Sequence, residues 1–234
     1  MKKNILFATC LASTVLMICS NASAASRNKF YVAVPFGYSF VNNSKSSEGS
    51  LASTKLKNTP MVGLAAGYDF GEVRTEISVG YRNNMRFTIN DVVSTGGNYG
   101  IYSSMSVKAY SFMVDLYKDF DIGSEFTPYI GLGLGFTNFK TGDYTFSRYL
   151  KSNNQPFGKT ATSTGKSSTS FSWRIGLGMH YKLSESVDFG LGYAYNDFGK
   201  VTRNDPNGIL RGTGTTNKVK FKSNEILATI KFKF

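Results

Sequence analysis

Thiols, imidazoles and helical periodicity are scarce in this chain of 234 residues. Both of its cysteines, Cys10 and Cys19, fall in a leader that reads as removable, so the mature chain is expected to have no thiol, no disulfide and no soft metal ligand. His180 is the only histidine and is too little for a metal site; no metal, no cofactor and no catalytic residue is expected. No helical period of useful length follows the leader, which argues against a helical domain. The longest apolar run, Ile5 to Ile18, is too short to read as a spanning helix. Acidic residues are also in deficit, with 15 Asp and Glu against 27 Lys and Arg, for a formal charge of +12.

The leader has its own logic. Lys2 and Lys3 precede the apolar run, and Ala22-Ser23-Ala24 offers a small-residue cleavage site, so residues 1–24 read as a secretory signal peptide and 25–234 as the mature domain. Cleavage would take the formal charge from +12 to +10, leaving an exported, strongly basic protein. Such a balance favours anionic partners.

What the mature chain has in abundance is period-two alternation, with 24 glycines and 15% aromatic residues. From Phe171 to Tyr195 it reads as a hairpin. Phe171, Trp173, Ile175, Leu177, Met179, Tyr181 and Leu183 form one face, and the pattern resumes after Ser184-Glu185-Ser186 with Val187, Phe189, Leu191, Tyr193 and Tyr195. Pairing about that turn sets Lys182 against Asp188. A second hairpin joins the strand from Thr59 to Phe70, across Gly71-Glu72, to the strand from Val73 to Arg82, setting Asp69 against Arg74.

Further strands are expected from Lys29 to Phe40, from Tyr110 to Tyr117, from Pro128 to Phe139 and from Glu225 to Phe234. Pro35 should perturb the first of these, because proline cannot donate a ladder hydrogen bond. The total is eight strands, with polar loops at 42–58, 83–104, 140–168 and 199–222 alternating with short turns. An up-and-down, eight-stranded antiparallel β-barrel follows.

Period alone does not say which face looks outward. In a transmembrane barrel the apolar face meets lipid; in a secreted, lipocalin-like carrier it lines a cavity. The opposite face carries Gly63, Gly67, Gly131, Gly133, Gly135, Gly176, Gly178, Gly190 and Gly192, which clear space in a narrow lumen. Long loops all fall at one end, and Phe70, Tyr81, Tyr181, Phe232 and Phe234 stand near strand ends, where aromatic girdles lie. These features favour the outer membrane of a Gram-negative bacterium, with the loops extracellular.

Three motifs carry a family resemblance: the run Pro128-Tyr129-Ile130-Gly131-Leu132-Gly133-Leu134-Gly135, Gly176-Leu177-Gly178 followed by Tyr181 and Leu183, and the closing Phe232-Lys233-Phe234. In these the mature chain resembles small outer-membrane barrels of the OmpA-like and opacity surface-antigen type. The resemblance implies insertion by the outer-membrane assembly machinery, which reads the last strand. It also implies outer-membrane lipid and lipopolysaccharide as neighbours. No periplasmic peptidoglycan-binding domain is expected after the barrel.

Two residue sets stand out in this reading. Asp69, Arg74, Glu76, Asp115, Arg174, Lys182, Asp188 and Glu225 are expected in a lumenal charge network, joined by His180, Lys231 and Lys233, because charges withdrawn from water need partners. Lys140, Arg148, Lys151, Lys159, Lys166, Lys200, Arg203, Arg211, Lys218 and Lys220 give the third and fourth loops a basic character suited to lipopolysaccharide, host-surface polyanions or proteins. Nucleic acid is not an expected partner. The expected function is non-enzymatic: a scaffold serving envelope integrity, surface antigenicity or adhesion, with a small porin-like channel and the secreted carrier as alternatives.

Overall fold

Alternating apolar and small residues, with turn-formers between the runs, give strands that can satisfy their backbone groups only by pairing. The computed structural model describes residues 30–42, 53–91, 99–142, 144–150, 152–153, 155, 161–163, 165, 167–204 and 216–234. Its strands are β1 (Phe30–Val41), β2 (Ser53–Leu56), β3 (Thr59–Asp69), β4 (Val73–Asp91), β5 (Tyr99–Asp119), β6 (Phe126–Thr141), β7 (Tyr144–Leu150), β8 (Ala161–Ser163), β9 (Ser167–Lys182), β10 (Val187–Asn204) and β11 (Thr216–Lys233). Eight of them, β1, β3, β4, β5, β6, β9, β10 and β11, each pair antiparallel with two neighbours and close a barrel. The closing seam is β1 against β11, with Tyr31 opposite Lys233, and Phe234 N–H donates to Phe30 O at 2.9 Å. No barrel strand is left with an open edge.

Both hairpin registers are as read, with Asp69 opposite Arg74 and Asp188 opposite Lys182. Gly71 takes a φ of 105° in the first turn, a conformation that suits glycine. At Pro35 the ladder to β3 lapses between the Ala33–Ala65 and Phe36–Val62 pairs, with no change of register.

Sequence reading placed the polar loops too near the membrane. β4 runs on to Asp91 and β5 begins at Tyr99, inside the expected 83–104 loop; β10 and β11 likewise extend into the expected 199–222 loop. The short strands β2, β7 and β8 lie within the first and third loops, β2 on the extension of β4 and β7 on that of β5. Ser- and Asn-rich composition hid a backbone that goes on pairing because its neighbour does. Bulges reset the register between Arg82 and Met85 and between Asp197 and Lys200, the second with Gly199 at φ 78°.

The outward face is apolar. Ile77, Leu132, Leu134 and Ile226 are 58–68% exposed, while Arg82, Asp115 and Glu225 are 0–2% exposed inside. A soluble carrier would need the reverse, so the carrier alternative falls. Aromatic pairs stand at both ends of the outer wall: Tyr68 with Phe70 (4.6 Å) and Phe126 with Tyr181 (4.9 Å) at the turn end, Tyr81 with Tyr110 (5.0 Å) and Trp173 with Tyr195 (5.6 Å) at the loop end.

Candidate functional site

The lumen is built from inward positions of all eight barrel strands, and its contents form layers. Nearest the turns, Arg74 Nε donates to Asp119 Oδ2 at 2.6 Å, and Asp188 receives Lys231 (3.2 Å) and Lys233 (2.7 Å). The Arg74 guanidinium lies 4.3 Å from the Tyr117 ring and 5.0 Å from Tyr129, and its Nη2 donates to His180 Nε2 at 3.1 Å. With Nε2 accepting, the imidazole proton sits on Nδ1, which has no hydrogen-bond partner among the described residues, and the ring stacks on Tyr129 at 4.8 Å.

One layer higher, Arg174 grips Asp115 through Nε and Nη2, both at 2.6 Å, while Ser78 donates to the same carboxylate at 3.1 Å. Glu76 accepts from the Tyr31 hydroxyl at 3.2 Å. Glycines make these packings possible. A Cβ on Gly133 would lie 2.9 Å from Arg174 Cγ and 3.0 Å from Asp115 Cγ, and one on Gly131 would enter the Tyr117 ring. A cavity of about 60 Å³ remains among Arg74, Glu76, Asp115, Tyr129, Arg174 and His180, space for a few water molecules.

Above that, Arg82 holds Glu225 bidentately at 2.6 and 2.8 Å; Ser39 (2.5 Å) and Ser223 (3.1 Å) donate to the same carboxylate. Arg82 Nη1 also donates to Ser111 at 2.8 Å, and its guanidinium stacks 4.6 Å from Phe198. The top layer is apolar: Val41, Met85, Val107, Ala109, Phe139, Phe198 and Phe221 pack across the barrel, each 0–8% exposed.

Six of the eight residues expected in the lumenal network, Arg74, Glu76, Asp115, Arg174, Asp188 and Glu225, lie buried or part-buried in these layers. Two do not join them. Asp69 turns back to accept from Gly71 N–H at 2.7 Å, and Lys182 is exposed at the mouth while Asp188 bonds to β11 instead. Both sit where water reaches them, so cross-strand register does not force an ion pair. Arg82 and Asp119 join the layers without being expected in the network. Arg82 ends the inward face of the expected Val73–Arg82 strand, and Asp119 continues the inward alternation of Asp115 and Tyr117 past the expected strand end at Tyr117.

Among the basic loop candidates, Lys140, Lys200 and Lys220 are exposed on barrel strands, and Arg148, Arg203 and Lys218 fall on β7, β10 and β11. Lys151, Lys159, Lys166 and Arg211 lie outside the described residues, as does the leader.

Comparison with known proteins agrees with this geometry. Residues 9–234 match the family described as outer membrane protein beta-barrel domain. The chain is 27% identical over 213 residues to outer membrane protein PagN of Salmonella typhimurium, covering 84% of each. It is 24% identical over 239 residues to the candidate adhesin RC1281 of Rickettsia conorii, covering 97% of this chain and 91% of that one. The fold is shared with Neisserial surface protein A (TM-score 0.50, 21% identity, 91% of this chain and 100% of that one). It is also shared with OprG of Pseudomonas aeruginosa (TM-score 0.53, 17% identity, 90% and 98%). An eight-stranded barrel with an apolar outer wall and a charged, filled interior, matched over nearly its whole length, belongs to the outer membrane protein beta-barrel domain family and resides in the Gram-negative outer membrane.

Proposed function

We propose that this outer-membrane surface protein is a non-enzymatic adhesive scaffold: a filled barrel that holds basic loops, Lys151, Lys159, Lys166 and Arg211 among their residues, toward anionic polymers of a host surface or neighbouring envelope. The observation that carries this reading is the filling of the lumen. Ion-paired layers and an apolar layer occupy its cross-section, which leaves a solute channel little room and turns attention to the loops. The resemblance to a candidate adhesin supports the same reading. His180 lends no support to catalysis, since among the described residues no carboxylate orients its Nδ1 and an arginine occupies its Nε2.

Loop display has a direct assay. Protease added to intact cells should cut between Lys140 and Lys166 and leave a membrane-embedded remainder. Binding has another: retention of the purified protein on heparin should fall with ionic strength and weaken when Lys151, Lys159 and Lys166 become glutamine. Salt-independent retention, or retention that ignores those substitutions, contradicts the polyanion reading.

A further inference from the structure

Above the loop-end girdle the barrel wall changes sides. Within the membrane β5 turns Phe112, Val114 and Leu116 outward, but from Val107 upward its apolar positions fall on the inner face. β4 keeps step because the bulge between Arg82 and Met85 shifts its alternation by one residue. The register then runs in rows around the wall. Thr54, Ile89, Ser103, Phe146 and Ala161 stand side by side on β2, β4, β5, β7 and β8. Ile89 and Ser103 are an even number of residues from the buried pair Met85 and Val107, which puts this row on the inner face. Leu56, Phe87 and Met105 form the inner row beneath it. The row between the two, on the outer face, is Lys55, Thr88, Ser104, Thr145 and Thr162. Across the mouth β10 and β11 follow the same scheme, with Val201 opposite Val219 on the inner face and the exposed Lys200 opposite Lys220 on the outer.

Apolar inside and polar outside is the arrangement of a barrel that stands in water, the reverse of the membrane section below it. The floor of this upper section is the apolar layer of Val41, Met85, Phe139, Phe198 and Phe221, and beneath it the Arg82–Glu225 pair closes the lumen. A barrel of this girth either fills with its own side chains or holds one small ligand. Thr54, Ser103 and Ala161, three of the five residues in their row, are small and favour the ligand. At the top the inner row is Asp91, Ile101 and Arg148, and Arg203 holds an inner-face position on β10. Two arginines against one aspartate favour an anionic group at the mouth.

We propose that the extracellular section of the barrel is a binding cup for an anionic amphiphile of the fatty-acid class. The chain lies between the apolar inner rows and the carboxylate stays at the mouth, at the level of Arg148 and Arg203. Because the floor is closed, the cup holds its ligand and does not pass it on. The site is the inner face of the wall and is independent of the polymers that the loop lysines bind.

The test is calorimetric titration of the full chain, refolded into phosphatidylcholine nanodiscs, with decanoate, and protein-free nanodiscs supply the baseline for partition into lipid. Decanoate should give a saturable heat above that baseline, with a single site per barrel. Hexanoate, which buries less chain, should bind roughly a hundredfold more weakly. Arg148→Gln with Arg203→Gln should weaken decanoate by roughly tenfold while leaving the uncharged 1-decanol unchanged. Ser103→Leu with Ala161→Leu, which fills the cup from two sides, should weaken both probes by roughly tenfold or more at an unchanged urea midpoint. No saturable heat from the native chain would mean that the inner rows pack on one another, and overturns the proposal. It is equally overturned if the filled variant binds decanoate as the native chain does, or if decanol binds as tightly as decanoate. Retention on heparin by the loop lysines is a separate readout, so either reading can fail without the other.

Discussion

Arg82 is 1% exposed and makes two bonds to a Glu225 carboxylate that is itself fully buried, so neither charge can be removed alone without stranding the other. Arg82→Ala should cost about 3–5 kcal/mol in urea unfolding from vesicles. The double replacement Arg82→Met with Glu225→Leu should lie closer to the native stability than either single change; a strictly additive double would refute the stranded-charge account. The exposed pair of Glu72 with Lys118 at a periplasmic turn behaves differently. The hydrogen bond from Lys118, and then its charge, hold the Glu72 carboxyl below the usual carboxylate range. A depressed folded-state value stabilises above the unfolded value and is lost as pH falls through the folded one. Glu72→Gln should thus have a small effect at neutral pH that disappears once the native carboxyl is protonated. On the outer wall, Leu132→Arg should cost about 2–4 kcal/mol of folding free energy in a bilayer, since an arginine there meets hydrocarbon.

Strand β6 shows how a single element can set the interior. Its inward positions Gly131, Gly133 and Gly135 yield space to Tyr117, to the Asp115–Arg174 pair and to Met113 from its neighbours. Gly133→Val should overpack that space and cost about 1–3 kcal/mol, read as a lowered urea midpoint. The alternation made this legible from sequence: strand membership, hairpin registers and the polar face of β6 all follow from period two and from turn residues. What was not legible follows from long-range pairing. The extensions of β4, β5, β10 and β11 pass through Ser- and Asn-rich segments whose composition resembles loop, and they remain strand because a partner lies alongside. For the same reason Phe139 and Phe221 gave no sign of forming an inner layer. Each lies at the edge of an expected loop, and the bulge that re-aims Met85 inward leaves only a weak local signature, whereas Phe198 keeps the inward alternation of Ala194 and Asn196 past the expected hairpin arm.

At the scale of the molecule, the lumen passes from an ion-paired turn end, through the Arg174 and Arg82 layers, to an apolar layer beneath the loops. Charges that balance one another need no mobile ions, and a layer of phenylalanine, valine and methionine resists wetting. The loops then remain as the surface that the proposed adhesion would use. The most direct test of this account is single-molecule current recording of the refolded protein in planar bilayers. A filled lumen predicts no stable conductance, with steps appearing only when Phe139 and Phe221 are cut to glycine together with Arg82→Ala. A stable, ion-selective conductance in the native protein, altered by those same substitutions, would contradict it and make the lumen a pathway.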